Sequence, residues 1–356
     1  MNGYRIALIP GDGIGVEVMQ SAREVLGAVA RTFDLRFDFT EFPWSCQHYV
    51  DTGRMMPEDG IGQLRSFDAI LLGAVGYPTV PDHVSLWGLL IPIRREFQQY
   101  ACVRPVKLLP GVQSPLALPK GTDIDYLVVR ENNEGEYSTV GGRSYAGTPH
   151  EVVTQVSLFT RRGTERIIRY AFELARARGK QRVTSATKSN GIIHSMPFWD
   201  EVFADVAAGY PDIESEQMHV DALAAKFVLT PQCFGVVVGS NLFGDILTDL
   251  SAATVGSIGI GASANLNPER EFPSCFEPVH GSAPDIVGQG IANPLGQVWS
   301  AALMLEHLGE PEAARAVEDA MQRTLEAGIK TGDLGGSANT AEVTAALVRE
   351  LSSVAR

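Results

Sequence analysis

The chain has 356 residues, 45% of them hydrophobic and 20% charged, an ordinary globular mixture long enough for two domains of about 100 to 200 residues each. Its net charge of −13, from 42 Asp and Glu against 29 Lys and Arg, excludes a sequence-independent grip on nucleic acid or anionic lipid, because both need cationic surface. Cys46, Cys102, Cys233 and Cys275 lie far apart with no C-x-x-C pair, so neither a zinc knuckle nor a redox motif is signalled and a reduced, cytoplasmic chain is expected.

The N-terminus enters a strand-like run at Ile6-Ala7-Leu8-Ile9 too early for a signal peptide. No apolar run reaches the roughly 18 residues a membrane helix needs. In chain order, short Val-, Ile- and Leu-rich runs alternate with amphipathic stretches, the pattern of parallel strands covered on both faces by helices. Strands are predicted at residues 4–9, 67–73, 126–130, 182–186 and 234–239. A helix is predicted over 15–33, where Val18, Ala22, Val25, Leu26, Val29 and Phe33 follow three- and four-residue steps. Residues 164–177, 312–327 and 340–354 also read as helices. The polar, glycine-containing segment 131–149 is either a long functional loop or an extended hairpin arm, and strand propensity returns at 151–159. No linker, internal repeat or low-complexity tract marks a domain boundary.

Four groups of residues carry possible chemistry. A helix predicted over 240–250 holds Asp245 and Asp249 at i and i+4, so both carboxylates leave one face and repel by about 0.2–0.5 kcal/mol. No Lys, Arg or His occurs from Phe227 to Glu269. The compensating cation therefore comes from distant chain, a second subunit or a hard divalent metal, unless the face is simply solvated. Arg94, Arg95, Arg104, Lys107 and Arg130 form a second group, and converging arginines would fork onto a small dicarboxylate; the plain alternative is surface charge. The third group is the small-residue loop from Glu277 through His280, Gly281, Ser282, Ala283, Asp285 and Ile286 to Asn293, through which backbone amides could approach a ligand. Asp285 offers an acceptor to ribose hydroxyls, and with no Lys or Arg from Glu271 to Ala314 NAD is favoured over NADP; otherwise this is a glycine-rich connection. Tyr137 and Lys188 complete the set as a phenol and an amine able to exchange protons near a metal, or as ordinary surface residues. The turn Gly11-Asp12-Gly13-Ile14-Gly15 is spaced G-x-G-x-G, which is not a dinucleotide fingerprint, and is read as a tight strand-to-helix turn near a site.

The joint order of these pieces, with Phe159-Thr160-Arg161 and His219-Val220-Asp221, resembles the metal-dependent β-decarboxylating 2-hydroxyacid dehydrogenases from end to end. That family includes isopropylmalate, isocitrate, tartrate and D-malate dehydrogenases. The resemblance implies a non-Rossmann α/β fold of two domains, with a large mixed central sheet flanked by helices. Residues 1–99 and 256–356 would form the cofactor domain, and 100–255 the substrate, metal and dimerisation domain with an arm near 131–160. It further implies that Arg94, Arg104 and Arg130 hold substrate carboxylates, and that Asp245 and Asp249, with Asp221 of the partner subunit, bind Mg²⁺ or Mn²⁺. Lys188, also reaching across the dimer, would take the hydroxyl proton and Tyr137 would protonate the enol, while His280, Gly281, Ser282, Ala283, Asp285, Ile286 and Asn293 bind NAD. A homodimer with shared active sites is expected. Within the family the residues before Arg94 read the substituent on C3. Trp87, seven residues upstream, resembles the tartrate and D-malate branch and is expected at the substrate; isopropylmalate dehydrogenase and a non-catalytic regulatory subunit are the alternatives. Three departures stand out. Pro92 is expected to interrupt the helix leading to Arg94 at about 3 kcal/mol unless it lies in a first turn. Gly235 and Gly261-Ala262 replace the usual Asp and Ala-Pro.

Overall fold

The computed structural model describes residues 2–119 and 121–354. The chain forms two compact units: Met1–Gln99, Arg104–Asp123 and Ala252–Arg356 make the first, and Tyr100–Val103 with Ile124–Ser251 the second. The segment Arg104–Asp123, expected with the middle of the chain, thus packs with the terminal unit.

In the first unit, strands Leu35–Glu41, Asn2–Gly11, Ala69–Ala74, Ser274–Pro278 and Ala262–Leu266 pair in that order. All pairs are parallel except the last, which is antiparallel, so this sheet is mixed. Alternation along the strands sends Ile6, Leu8, Ala69 and Leu71 into one core and Ala7, Ile9, Ile70 and Leu72 into another. The first core is closed by helices Ile14–Phe33, Leu295–His307, Pro311–Glu326 and Thr340–Val354. The stripe read from the sequence is buried as expected at Val18, Ala22, Val25, Leu26 and Val29.

The second unit carries four parallel strands in the order Asp125–Glu131, Val236–Gly239, Arg182–Thr187 and Glu214–His219. Helices Arg161–Ala177 and Ser195–Ala207 cover it, and Trp199, fully buried, donates its indole N–H to Ser185 Oγ at 2.9 Å. Of the two readings of segment 131–149, the arm holds: Gly141–Ser144 pairs antiparallel with Val152–Gln155, and every residue of both strands is exposed.

Pro92 takes the one helical place open to it, the first turn of Ile91–Glu96. The helix runs through Asp82–Ser85, a wide π turn at Leu86–Leu90, and Ile91–Glu96. Proline lacks an N–H and its ring crowds the carbonyl four residues back. The wide turn, in which Ile91 N–H bonds the Leu86 carbonyl, starts a fresh α segment with Pro92 in its first turn.

The Gly11-Asp12-Gly13 turn explains itself sterically. Gly13 has φ +58°, and a Cβ there would lie 2.1 Å from the Ser282 carbonyl oxygen, which accepts Ile14 N–H at 2.9 Å. Gly13→Ala is expected to lose at least about 1–2 kcal/mol from the left-handed backbone alone, with the clash adding to it. Urea unfolding followed by circular dichroism measures this, and an unchanged midpoint would show that the Ser282 loop does not rest on this turn.

Candidate active site

Strand Asp125–Glu131 of the second unit delivers Arg130, 2% exposed, to the start of helix Asn241–Thr254. Arg130 Nε and Nη2 donate to Asn241 Oδ1 at 3.1 and 2.7 Å, and Nη1 pairs with Asp245 Oδ1. Gly244 permits the approach, since a Cβ there would lie 2.5 Å from that of Arg130. Tyr137 Oη donates to Asp245 Oδ2 at 2.7 Å, and the Arg130 guanidinium lies 5.3 Å from its ring centroid. The cation that answers Asp245 therefore comes from distant parts of the same chain. Glu136 accepts from Ser240 Oγ at 2.8 Å and from Leu242 N–H at 2.9 Å, placing an anion at the positive end of this helix. Asp249 follows one turn after Asp245 and is exposed.

Lys188 leaves the end of strand Arg182–Thr187, and its Nζ donates to Asp221 Oδ1 at 2.8 Å in the first turn of helix Val220–Leu229. The hydrogen bond from Lys188 holds the Asp221 carboxyl below its ordinary value. Among the described residues no three His, Cys, Asp or Glu of one chain converge as a metal cage. The pair Asp245 and Asp249 offers only hard oxygen donors from one helical face, a set that fits a divalent cation completed by a ligand from elsewhere.

Glu131, passed over in the sequence as a neighbour of Arg130, is 1% exposed. Burial pushes its carboxyl up to about 7, against the pull of Arg166 and the N–H groups of Asn133 and Glu134. Arg166 lies 3.9 Å from Glu131 and stacks over Tyr100 at 4.2 Å.

In the first unit Arg94 Nη2 donates to Glu277 Oε1 at 2.7 Å, and Asn265 donates to the same oxygen at 2.7 Å. Burial works to raise the Glu277 carboxyl, but Arg94, Asn265 and Arg104 outweigh it and keep it lowered. The Trp87 ring lies 5.1 Å from the guanidinium carbon of Arg95.

A cavity of about 470 Å³ in the first unit is lined by Ile14, Ser257, His280, Ala283, Ile286, Ile291, Asn293 and Asp333, among others, with no Lys or Arg. Its size and largely apolar wall fit one end of a dinucleotide. His280 shares Nδ1 with the Gly281 carbonyl at 3.0 Å, burial lowers its basicity, and its buried Nε2 has no partner among the described residues. A neutral imidazole so placed awaits a donor. Gly281 and Ser282 line an adjacent cavity of about 710 Å³ with Gly76 and Tyr77, whereas Asp285 is exposed and lines neither. Sequence reading missed Asp333, whose Oδ2 accepts from Ser257 Oγ at 2.6 Å and Asn293 Nδ2 at 2.9 Å. The only sequence signal was its glycine-flanked setting, Gly332-Asp333-Leu334-Gly335-Gly336.

Residues 5–347 match the family model described as isocitrate/isopropylmalate dehydrogenase. The chain is 57% identical to a probable tartrate dehydrogenase/decarboxylase of Bacillus subtilis, with 97% of each chain covered. It is 54% identical to the D-malate dehydrogenase [decarboxylating] of Escherichia coli, over 98% of this chain and 99% of that one. Among solved structures, the isocitrate dehydrogenase of Methylococcus capsulatus matches with a TM-score of 0.87 at 34% identity, covering 98% of this chain and 99% of that one.

A carboxyl raised on folding, as Glu131 is, favours the native state below its unfolded pKa, and that contribution is lost as pH rises through about 7. Glu131→Gln keeps the acceptor for Asn133 and Glu134 without the charge. It is expected to raise the thermal midpoint relative to the parent at pH 8 and not at pH 4; a variant less stable at pH 8 would assign the carboxylate's pairing with Arg166 the larger weight.

Proposed function

The chain belongs to the isocitrate/isopropylmalate dehydrogenase family, and from that premise we propose that it oxidises and β-decarboxylates a small 2-hydroxy dicarboxylic acid. D-malate, giving pyruvate and CO₂, and tartrate are the substrates proposed, with NAD and Mg²⁺ or Mn²⁺ as cofactors. The observation that supports this reading best is the meeting of a buried guanidinium, a phenol and a carboxylate at Arg130, Tyr137 and Asp245. The relatives named for tartrate and D-malate dehydrogenases support the substrate class.

In this reading Arg94, Arg104 and Arg130 each offer a planar fork of donors to a substrate carboxylate. Asp245 and Asp249, with Asp221 of the partner subunit, would hold the divalent ion. When bound, that ion supplies Lewis acidity that polarises the 2-oxygen and draws in the electrons released as CO₂ departs. Lys188 of the partner subunit, which is bonded to Asp221 of that same subunit, accepts the proton of the 2-hydroxyl, and the Tyr137 phenol returns a proton to the carbon that has lost CO₂. His280, Ala283, Ile286, Asn293 and Asp333 would seat NAD, which supplies the hydride acceptor, with Gly281 and Ser282 along its course and Asp285 near its ribose. A cavity wall free of Lys and Arg gives a 2′-phosphate no counterion, so NAD is the dinucleotide proposed. The exposed apolar side chains of the arm, Val152 at 54% and Val153 at 66%, support a homodimer in which a second copy covers them. No helix among the described residues is long and apolar enough to cross a membrane.

With NAD and Mn²⁺ the purified chain is expected to turn over D-malate faster than 3-isopropylmalate, and to work much less well with NADP. Faster turnover of 3-isopropylmalate would replace the proposed substrate. Lys188→Met is expected to lower kcat by about 10²–10⁴-fold with little change in thermal midpoint; near-parental kcat would remove Lys188 from proton transfer.

A further inference from the structure

Residues 132–140, between strands Asp125–Glu131 and Gly141–Ser144, belong to no helix or strand, so secondary structure does not fix where Tyr137 stands. The segment is held instead against helix Asn241–Thr254 at successive residues. The Glu134 carbonyl accepts from Asn241 Nδ2 at 3.0 Å. Gly135, with φ +91°, comes so close that a Cβ there would lie 3.2 Å from that of Asn241. Glu136 then uses both carboxylate oxygens, Oε1 for the Ser240 hydroxyl at 2.8 Å and Oε2 for Leu242 N–H at 2.9 Å. Tyr137 bonds Asp245, which follows Leu242 by three residues and shares its helical face. Two neighbours in the chain thus grip the helix one turn apart. A single bond to the phenol oxygen lets the segment swing about it, whereas a carboxylate bonded at both oxygens sets a direction as well as a distance. Both donors to Glu136 are themselves fixed. Ser240 is fully buried, and Leu242 N–H belongs to the first helical turn, where no helical carbonyl competes for it.

We propose, resting on the assignment of Tyr137 as the group that returns a proton to carbon, that Glu136 is the positioning residue of this proton donor. It, rather than the bond to Asp245, keeps the Tyr137 phenol at the site through the reaction. Asp245 is called on twice in that reading, since the divalent ion would draw on the same carboxylate that Tyr137 Oη bonds. A phenol that gives its proton to carbon must also leave that acceptor. Ser240 and Leu242 have no part in holding ion or substrate, so the grip of Glu136 persists while Asp245 changes partners. That grip depends on length and on two bonds more than on charge. Gln has the same length, and its amide oxygen can accept Leu242 N–H while its N–H donates to the Ser240 oxygen, which accepts as readily as it donates. Asp is one methylene shorter and falls short of both donors.

The test is a double-mutant cycle in kcat on D-malate with NAD and Mn²⁺, joined to hydrogen exchange of the peptide spanning residues 134–140 in the enzyme without substrate. Glu136→Ala and Glu136→Asp are expected to lower kcat about tenfold or more, as misplacement of a reacting group does. KM for D-malate is expected to stay within about threefold, because Glu136 does not hold the substrate. Glu136→Gln is expected to recover most of the loss in kcat. In a Tyr137→Phe background Glu136→Ala is expected to lower kcat little further, since a residue that acts through the phenol has nothing left to place. Exchange at residues 134–140 is expected to quicken in Glu136→Ala and not in Tyr137→Phe. Effects of the two substitutions that multiply, a Gln variant as impaired as the Ala variant, or unchanged exchange in Glu136→Ala would each overturn the proposal. A parent inactive on D-malate and tartrate, or undiminished kcat in Tyr137→Phe, instead sinks the reaction or the role given to Tyr137 in it, and takes this premise with it whatever the exchange result.

Discussion

A guanidinium removed from water must find fixed acceptors, because an unpaired buried charge costs several kcal/mol. Arg130, 2% exposed, meets that demand with Asn241 and Asp245 on the first turns of one helix. Much of the second unit follows from this. Gly244 is required by the approach, Glu136 anchors the helix end, and Tyr137 shares the Asp245 carboxylate. The same physics recurs in the first unit, where buried Glu277 is held by Arg94 and Asn265. Arginines that would recognise a dicarboxylate are thus held in place by the protein's own carboxylates.

The cofactor loop is held by backbone rather than charge. The Gly11-Asp12-Gly13 turn accepts no side chain at Gly13 and ties Ile14 N–H to Ser282. Asp12 accepts from Cys46 N–H and Gly76 N–H at 2.9 and 3.1 Å. One turn at the end of a buried strand therefore joins three loops, two of which line the cavities beside it. Those cavities combine small residues and apolar walls with few polar groups, the usual composition of a cofactor pocket.

How much of this was legible depends on the distance over which each signal acts. Hydrophobic period is local, so helices Ile14–Phe33 and Thr340–Val354 and the buried strands were readable to within a few residues. The acidic pair Asp245 and Asp249 was readable from its i, i+4 spacing, and the absence of nearby cations left distant chain, a second subunit or a metal as sources of countercharge, of which distant chain answers Asp245. The identity of that cation was not readable, because Arg130 lies 115 residues away in sequence. Asp333 escaped for the same reason: its partners Ser257 and Asn293 are joined to it only by folding.

The amino-acid sequence alone determined the α/β class, the family and the residue types of the site, since these depend on periodicity, composition and motif order. Tertiary structure decided the partners and the phase. It paired Arg130 with Asp245, buried Glu131, moved Arg104–Asp123 into the terminal unit and turned Trp87 toward Arg95. Residue counting assumes a constant helical pitch and says nothing of contacts closed by a distant chain. A single wide turn changes the first, and only packing supplies the second.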